Sequence, residues 1–467
     1  MKHLHLLYTL LFGVAVLLFF GLAYPHHLHY QEQYQLFLFD NTYVWEIVKL
    51  PGGVADLLGR FCTQFFLFAW VGALIIALLL SMVQLLTLRL ANGQWAMVNG
   101  QWLYGLTFIP SFLLWLFLLD ENALLGGVWA VLLTLLAIWV CVMAPSGWPR
   151  RILILIAIPV LYWIALGGSH YHRYPTVTPY LLYAAWLSAV ILPFIVRACH
   201  KWLSISSGSK NRGVALFTLH SSLFTFLLVT VVMGSIVWKN ANLKAEKVMQ
   251  YDFMACHQQW NRIIETINAE KPNNQIGVTV QNLALAMHGI LLEHMFDYNQ
   301  NGIAGLLPDV KEDATSPLPT AEAFYQLGMI NVAMRTVFEA QEAILDFQKS
   351  GRCYKRLAET NLINGQYEVA RKYLTALQKT FFYCDWANET LQLLGNEKAI
   401  ANHSEYGRLR QWAYKDDFYF SDHVTPEMLE SLYSRNPDNR MAYQYLLAYY
   451  MLTGDRERFN QFMSAKQ

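Results

Sequence analysis

Four carboxylates stand in short stretches between long apolar runs: Glu32, Asp40, Asp120 and Glu121. A carboxylate at a membrane edge could accept the proton of an acceptor hydroxyl or hold a divalent ion on a diphosphate. His26, His27 and His29, and later His170 and His172, fall in comparable stretches, with Arg173 following the second group. Neutral imidazoles suit zinc and other transition metals, but His27 and His29 at i, i+2 share no helical face. No metal site is assigned to them. Arg173 is the better contact for a phosphate or lipid headgroup. The plain alternative for all these residues is solvated loop charge and interfacial histidine. In the C-terminal half, Cys353 and Cys384 could pair in an oxidising compartment or remain buried free thiols. Glu293 and Asp297 share a helical face while His288 and His294 do not, so core and capping roles are expected there. No Walker loop, GxSxG or HExxH motif occurs.

These residues have to be positioned by an unusually apolar chain. Of 467 residues, 55% are hydrophobic and 14% charged, too apolar for a soluble protein of this size. The near-neutral net charge of +1 gives no sign of nucleic-acid binding. About seven apolar segments are long enough to cross a bilayer as helices: residues 4–24, 65–88, 103–119, 124–143, 152–166, 180–196 and 214–237. None has an internal Asp, Glu, Lys or Arg, each of which costs about 2.5–3.5 kcal/mol at a helix centre. The first segment exceeds a signal-peptide core and lacks a small-x-small cleavage site, so a retained anchor is expected. The last joins a membrane half to a water-soluble half, which divides the chain into residues 1–238 and 239–467.

Basic residues set the orientation. Lys2, Arg89, Arg150, Arg151, Arg197, Lys201, Lys210 and Arg212 fall in loops on one side, against Lys49, Arg60 and Arg173 on the other. That bias puts the N-terminus in the cytoplasm and, with an odd number of spans, the soluble half outside. The four carboxylates and both histidine groups then share the outer side. The first outer loop, residues 25–64, carries Leu36, Phe37, Val44, Trp45 and Ile47 in amphipathic pieces suited to the membrane surface.

After residue 238 the periodicity is helical throughout, as in Trp260, Ile263, Ile264 and Ile267. Residues 307–320 (LPDVKEDATSPLPT) read as a polar, Pro-rich break. The segment YKRLAETNLINGQYEVARKYLTAL, 354–377, resembles the tetratricopeptide repeat. Leu357 and Ala358 match its large–small pair, Gly365 its turn, and Ala370 and Leu374 its second helix. Weaker copies surround Gly328 and Gly454. The resemblance implies a protein-binding module.

The chain as a whole is similar to a family of uncharacterised multi-spanning bacterial envelope proteins, through EQYQLF in the first loop, PGGVADLLGRFCTQFF before the second segment, and NLALAMHGILLEHMFDYNQNGIAGLL at 282–307. The expected architecture is all-α: a polytopic bundle followed by a tetratricopeptide-like domain. The expected role is a scaffold or accessory subunit at the bacterial inner membrane, with a periplasmic C-terminal domain, a protein partner, the bilayer and no cofactor. The layout is also similar to multi-spanning polyprenyl-linked glycosyltransferases. In that alternative Glu32, Asp40, Asp120 and Glu121 are catalytic, His170, His172 and Arg173 bind a lipid-linked sugar, and a divalent metal can take part. Glu32 or Asp40 facing Asp120 across a lipid-open cavity would favour the enzyme, and a bare groove in the repeats would favour the scaffold.

Overall fold

The computed structural model describes residues 2–92, 101–165, 179–206, 212–309, 316–344, 348–414 and 425–464. Among them every regular element is helical. The chain forms two compact units, Met1–Leu243 and Lys244–Gln467.

The first unit begins with α1 (Lys2–Leu18), extended by a π-helical turn over Phe19–Ala23. Three short helices follow, α2 (Pro25–Glu32), α3 (Asn41–Val48) and α4 (Gly53–Thr63), and then α5 (Ala69–Asn92). A 3-10 segment, Gln101–Phe108, leads into α6 (Ile109–Phe117). The unit is completed by α7 (Leu125–Met143), α8 (Trp148–Ile164), α9 (Pro179–Ser206) and α10 (Arg212–Asn240). Most described residues of each of the seven apolar segments lie in helix. Among the described residues four helices, fewer than the seven expected, are long and apolar enough to cross a membrane: His5–Ala23, Ala69–Ala91, Leu125–Met143 and Leu223–Asn240; Tyr104–Phe117 and Tyr180–Val196 are shorter apolar helices. The second segment, expected from residue 65, starts later, because Gln64–Leu67 forms a 3-10 turn and Phe68 is extended. The division expected at 238/239 falls inside α10, which runs on to Asn240.

Helix α5 is the hub, packed against α1, α6, α7 and α9. Its inward Ala73, Ile76, Leu80 and Val83 have no exposed surface. Helices α4 and α7 approach closely because Gly59 faces the backbone of Gly126, where a Cβ would collide with main-chain atoms. Such small-residue contacts drive helix packing where lipid removes the hydrophobic gain. Hydroxyl and amide groups add to this. Thr9 Oγ1 donates to Gln84 Oε1 at 2.8 Å, and Gln84 Nε2 donates to Thr107 Oγ1 at 3.1 Å, all three side chains being buried.

The second unit comprises α11 (Leu243–Cys256), α12 (Trp260–Glu270), α13 (Gln275–Met287), the single turns α14 (Leu291–His294) and α15 (Ile303–Leu306), and α16 (Pro317–Leu327). Then come α17 (Ile330–Ala343), α18 (Gly351–Ile363), α19 (Tyr367–Leu377), α20 (Cys384–Leu391), α21 (Glu397–Asn402), α22 (Tyr406–Trp412), α23 (Pro426–Arg435), α24 (Arg440–Thr453) and α25 (Arg456–Ser464). Helices α16/α17, α18/α19 and α24/α25 are hairpins, each turned by a glycine of positive φ: Gly328 at 89°, Gly365 at 76° and Gly454 at 73°. Only glycine takes that conformation without a Cβ penalty, which is why it recurs at a helix C-terminus. The break expected over 307–320 ends sooner, since Pro317 opens α16. Proline at the first helical position loses no intrahelical bond.

Candidate functional site

Helix α2 packs against the turn that holds Asp120 and Glu121. Its first residue is Pro25, and the preceding Tyr24 is buried with its hydroxyl accepting from the Asn242 amide at 2.8 Å. His27 and Gln31, one turn apart on α2, face the turn after α6. His27 Nε2–H donates to the Leu118 carbonyl at 2.9 Å, and Gln31 Nε2 donates to the carbonyls of Asp120 (3.3 Å) and Ala123 (3.2 Å). His27 is fully buried. Burial lowers its pKa to about 4, outweighing the carbonyl bond that favours the charged form, so the ring is neutral.

Glu32 closes α2 and is buried at 7% exposure. Beside it lies a compact set of buried polar side chains. Gln35 Oε1 accepts from Thr63 Oγ1 at 3.3 Å, and Gln64 Nε2 donates to the Phe61 carbonyl at 2.9 Å. Gln35 Nε2 is buried without a hydrogen-bond partner. Tyr30 and Tyr34 are hydrogen-bonded through their hydroxyls. Asp120 is half-buried. Its Oδ1 accepts from the Asn122 amide at 2.9 Å, fixing the turn. Burial raises the Asp120 carboxyl pKa, the Asn122 amide opposes this, and neighbouring Glu121 adds to the rise.

Asp40 is placed differently. It caps α3, accepting from the amides of Thr42 at 3.0 Å and Tyr43 at 3.1 Å. The structure therefore joins α2, through His27 and Gln31, to the Asp120 turn, and gives Asp40 a capping role. His170, His172 and Arg173 lie outside the described residues. Among the described residues no group of three or more His, Cys, Asp and Glu could hold a metal ion.

The second unit contains a charged cluster that no sequence motif announces. Arg352 on α18 meets Asp252 on α11 in a bidentate pair (2.6 and 2.9 Å) and approaches Glu322 on α16 at 3.6 Å. Arg356, one turn further along α18, holds Glu322 with both carboxylate oxygens (2.9 and 2.7 Å) and Glu359 at 2.8 Å. The Arg356 guanidinium also lies 3.7 Å from the ring centroid of Tyr325. Asp252, Glu322, Arg352, Arg356 and Glu359 are all buried. Helical spacing marks Arg352, Arg356 and Glu359 as neighbours, but Asp252 and Glu322 lie far away in sequence and had no local signal.

Of the two states open to Cys353 and Cys384 the structure has the free thiols, as it does for Cys62, Cys141 and Cys256. Cys353 is buried beside Ser350, Arg352 and Cys256, while Cys384 accepts from Asn388 Nδ2 at 3.4 Å. In the 282–307 segment the polar residues are structural. Asn282 and Gln300 exchange amide hydrogen bonds (2.9 and 3.2 Å), and Asn299 and Asn301 donate to the carbonyls of Lys271, Pro272 and Asn273. Glu293 and Asp297 do not share one helix, because α14 ends at His294 and a 3-10 turn follows. No bare groove runs along α16: all of Pro317–Leu327 is buried, packed by α13, α17, α22 and α24.

The chain belongs to a family of unknown function (DUF6057), which it matches over residues 1–467. No curated protein and no solved structure matches it.

Proposed function

We propose that the protein is an integral membrane scaffold or accessory subunit of the bacterial envelope, crossing the membrane about seven times and presenting its C-terminal unit on the outer side. The observation that carries this reading is the second unit itself: helical hairpins turned by Gly328, Gly365 and Gly454, beginning directly after the apolar helix α10. The hairpins support a tetratricopeptide-like lineage. With α16 covered, the partner surface is assigned to the outer helices α17 and α19, where Phe338 and Val369 stand exposed, with Phe381 beyond them. A reporter active only in the periplasm, fused after Gln467, should be active, and cross-linking through Phe338 or Phe381 replaced by a photoreactive residue should capture a discrete partner. A fusion active only in the cytoplasm overturns the orientation; no cross-linked product from either position overturns the scaffold.

A second reading, a lipid-linked sugar transferase, is favoured by the docking of α2 on the Asp120 turn. Glu32 in a buried polar setting is the base this reading needs, and Asp120, with its raised pKa, is a second proton-handling group.

A further inference from the structure

Gln35 brings an unmet hydrogen-bonding group into the interior of the first unit. The residue is 2% exposed, and its Nε2 has no partner among the described residues. Its Oε1 lies 3.3 Å from the Thr63 hydroxyl, which also lies 2.9 Å from the Gly59 carbonyl. A hydroxyl has one hydrogen, so it serves only one of these contacts at full strength. Where Gly59 takes it, the amide turns over, donates to Thr63 and leaves Oε1 unmet instead. In either orientation one end of a buried amide stays open, a costly arrangement that a bound group relieves.

The two chain segments that meet here change character over two residues. Gln35 faces Thr63, and both are buried. Two residues further on, the Phe37 ring meets the Phe61 ring at 5.4 Å, and Phe61 reaches Phe39 at 6.5 Å and Phe65 at 5.6 Å. Phe39 is 52% exposed, and Phe61 is exposed as well. From Phe65 the chain carries exposed Phe68 and Trp70 into α5, a helix long and apolar enough to cross a membrane, where Leu74 and Leu78 are exposed in turn. A buried polar end thus adjoins an exposed aromatic ridge that leads to the outward side of a span.

The arrangement fits an amphiphile. A hydroxyl both donates and accepts, so it serves the Gln35 amide in either orientation. A phosphate only accepts, and it would be buried near the carboxylate of Glu32, three residues before Gln35. An ammonium only donates and serves one orientation alone. The basic residue of α4, Arg60, is already engaged by Asp56 at 2.8 Å. We propose that Gln35 and Thr63 form a binding site for a membrane lipid with an uncharged, hydroxyl-rich headgroup, the headgroup on the amide and the acyl chain along Phe37, Phe61 and Phe39. For the transferase reading this lipid is the hydroxyl acceptor, and in that role the inference rests on that reading; the binding itself requires no catalysis.

The test is native mass spectrometry of the full-length protein, titrated in detergent with monoglucosyl diacylglycerol, with phosphatidylglycerol and phosphatidylethanolamine of the same acyl chains, and with free methyl glucoside. The glucosyl lipid should be retained roughly tenfold more tightly than either phospholipid, and the free glucoside should not be retained. Gln35→Met should cut affinity for the glucosyl lipid roughly tenfold and leave the melting temperature unchanged or raised, because it removes an unmet buried amide at little change in size. Phe39→Ser should also weaken binding without lowering the melting temperature, since the ring is half exposed. Glu32→Gln should still bind the glucosyl lipid, which separates failure of the transferase reading from failure of this site. Equal retention of the three lipids, preference for either phospholipid, free glucoside bound as tightly as the lipid, or unchanged binding by Gln35→Met overturns the proposal. A fall in melting temperature with Gln35→Met makes the amide a packing element and overturns it as well.

Discussion

His27 on α2 donates its Nε2–H to the carbonyl of Leu118, 91 residues further along the chain, at 2.9 Å. The bond fastens the first loop to the turn between α6 and α7, and although a carbonyl acceptor favours the charged ring, the full burial of His27 outweighs it and keeps the imidazole neutral. A histidine whose folded pKa is depressed to about 4 contributes stability above the unfolded value near 6.5 and loses it as pH falls toward 4. Attachment of α2 should therefore weaken progressively below about pH 6.5, by about 3 kcal/mol at the limit. Limited proteolysis within residues 33–39 is the measure. Cleavage that does not accelerate between about pH 6.5 and about pH 4 would contradict the assignment. His27→Gln, which keeps a donor without the titration, should flatten the response.

Removal of Arg356 should be severe. Its guanidinium satisfies both Glu322 and Glu359, so Arg356→Met leaves two buried carboxylates without their main partner. Breaking a buried pair in this way costs about 3–5 kcal/mol. Arg356→Lys should recover only part of that, because an ammonium cannot bind bidentately. Denaturant unfolding of the second unit checks both values, and a loss under about 1 kcal/mol for the methionine variant would show that the cluster carries little stability.

What was legible in the sequence follows from range. Apolar runs and helical periodicity are local, and they placed α1, α5, α7 and α10 and the hairpin turn at Gly365. Interactions that close over long separations were not legible. Asp252 and Arg352 are 100 residues apart, and neither sits in a pattern that names the other. The same limit left the state of Cys353 and Cys384 open, since a place near the starts of successive repeats says nothing about which way their side chains point. The loop carboxylates were identified by residue type, but type does not separate Asp40, a helix cap, from Glu32, a buried side chain. Gln35, Thr63 and Gln64 had no marking at all, because buried amides and hydroxyls look like ordinary loop residues in a sequence.

Gly365 offers a sharp local test. Its φ of 76° disfavours any β-branched side chain, and a Cβ there would also meet Arg410 Nη2 at 3.3 Å. Gly365→Val should destabilise the second unit by about 1–2 kcal/mol or more, and Gly365→Asn by less, since asparagine tolerates the left-handed region. Equal melting temperatures for the two variants would count against the turn geometry.

The second unit should fold apart from the first when it is cut where the chain divides. Lys244–Gln467 contains its own buried cores, around Leu283, Phe324, Leu362 and Tyr445 and around Tyr251, Ile263 and Val280. A fragment from Lys244 should be soluble without detergent and strongly helical by circular dichroism. One starting at Glu265 lacks Tyr251 and Asp252, and so should lose the α11 contacts and melt lower. A helical signal from the Lys244 fragment only in detergent would contradict independence.

The transferase reading stands or falls on Glu32. It is the buried carboxylate of α2, the helix that His27 and Gln31 fasten to Leu118, Asp120 and Ala123. Asp40 is engaged by the amides of Thr42 and Tyr43, a role asparagine fills nearly as well, so Asp40→Asn should leave function in cells close to normal. Asp120→Asn keeps an acceptor for the Asn122 amide but removes a carboxyl whose pKa is raised by burial. It should reduce activity at unchanged protein level if that group handles a proton. Glu32→Gln preserves size and hydrogen bonding and removes only the charge and the basic oxygen. A general base contributes about 10²–10⁴-fold to rate, so this variant should abolish function while α2 keeps its protection from proteolysis. If Glu32→Gln and Asp120→Asn both behave as the unmodified protein, the outer loops do no chemistry, and the scaffold reading alone is left. If Glu32→Gln fails only because the chain is no longer made or α2 comes loose, the buried carboxylate is part of the packing and the transferase reading fails with it. Loss of function with α2 still docked is the result that only a chemical role for Glu32 explains.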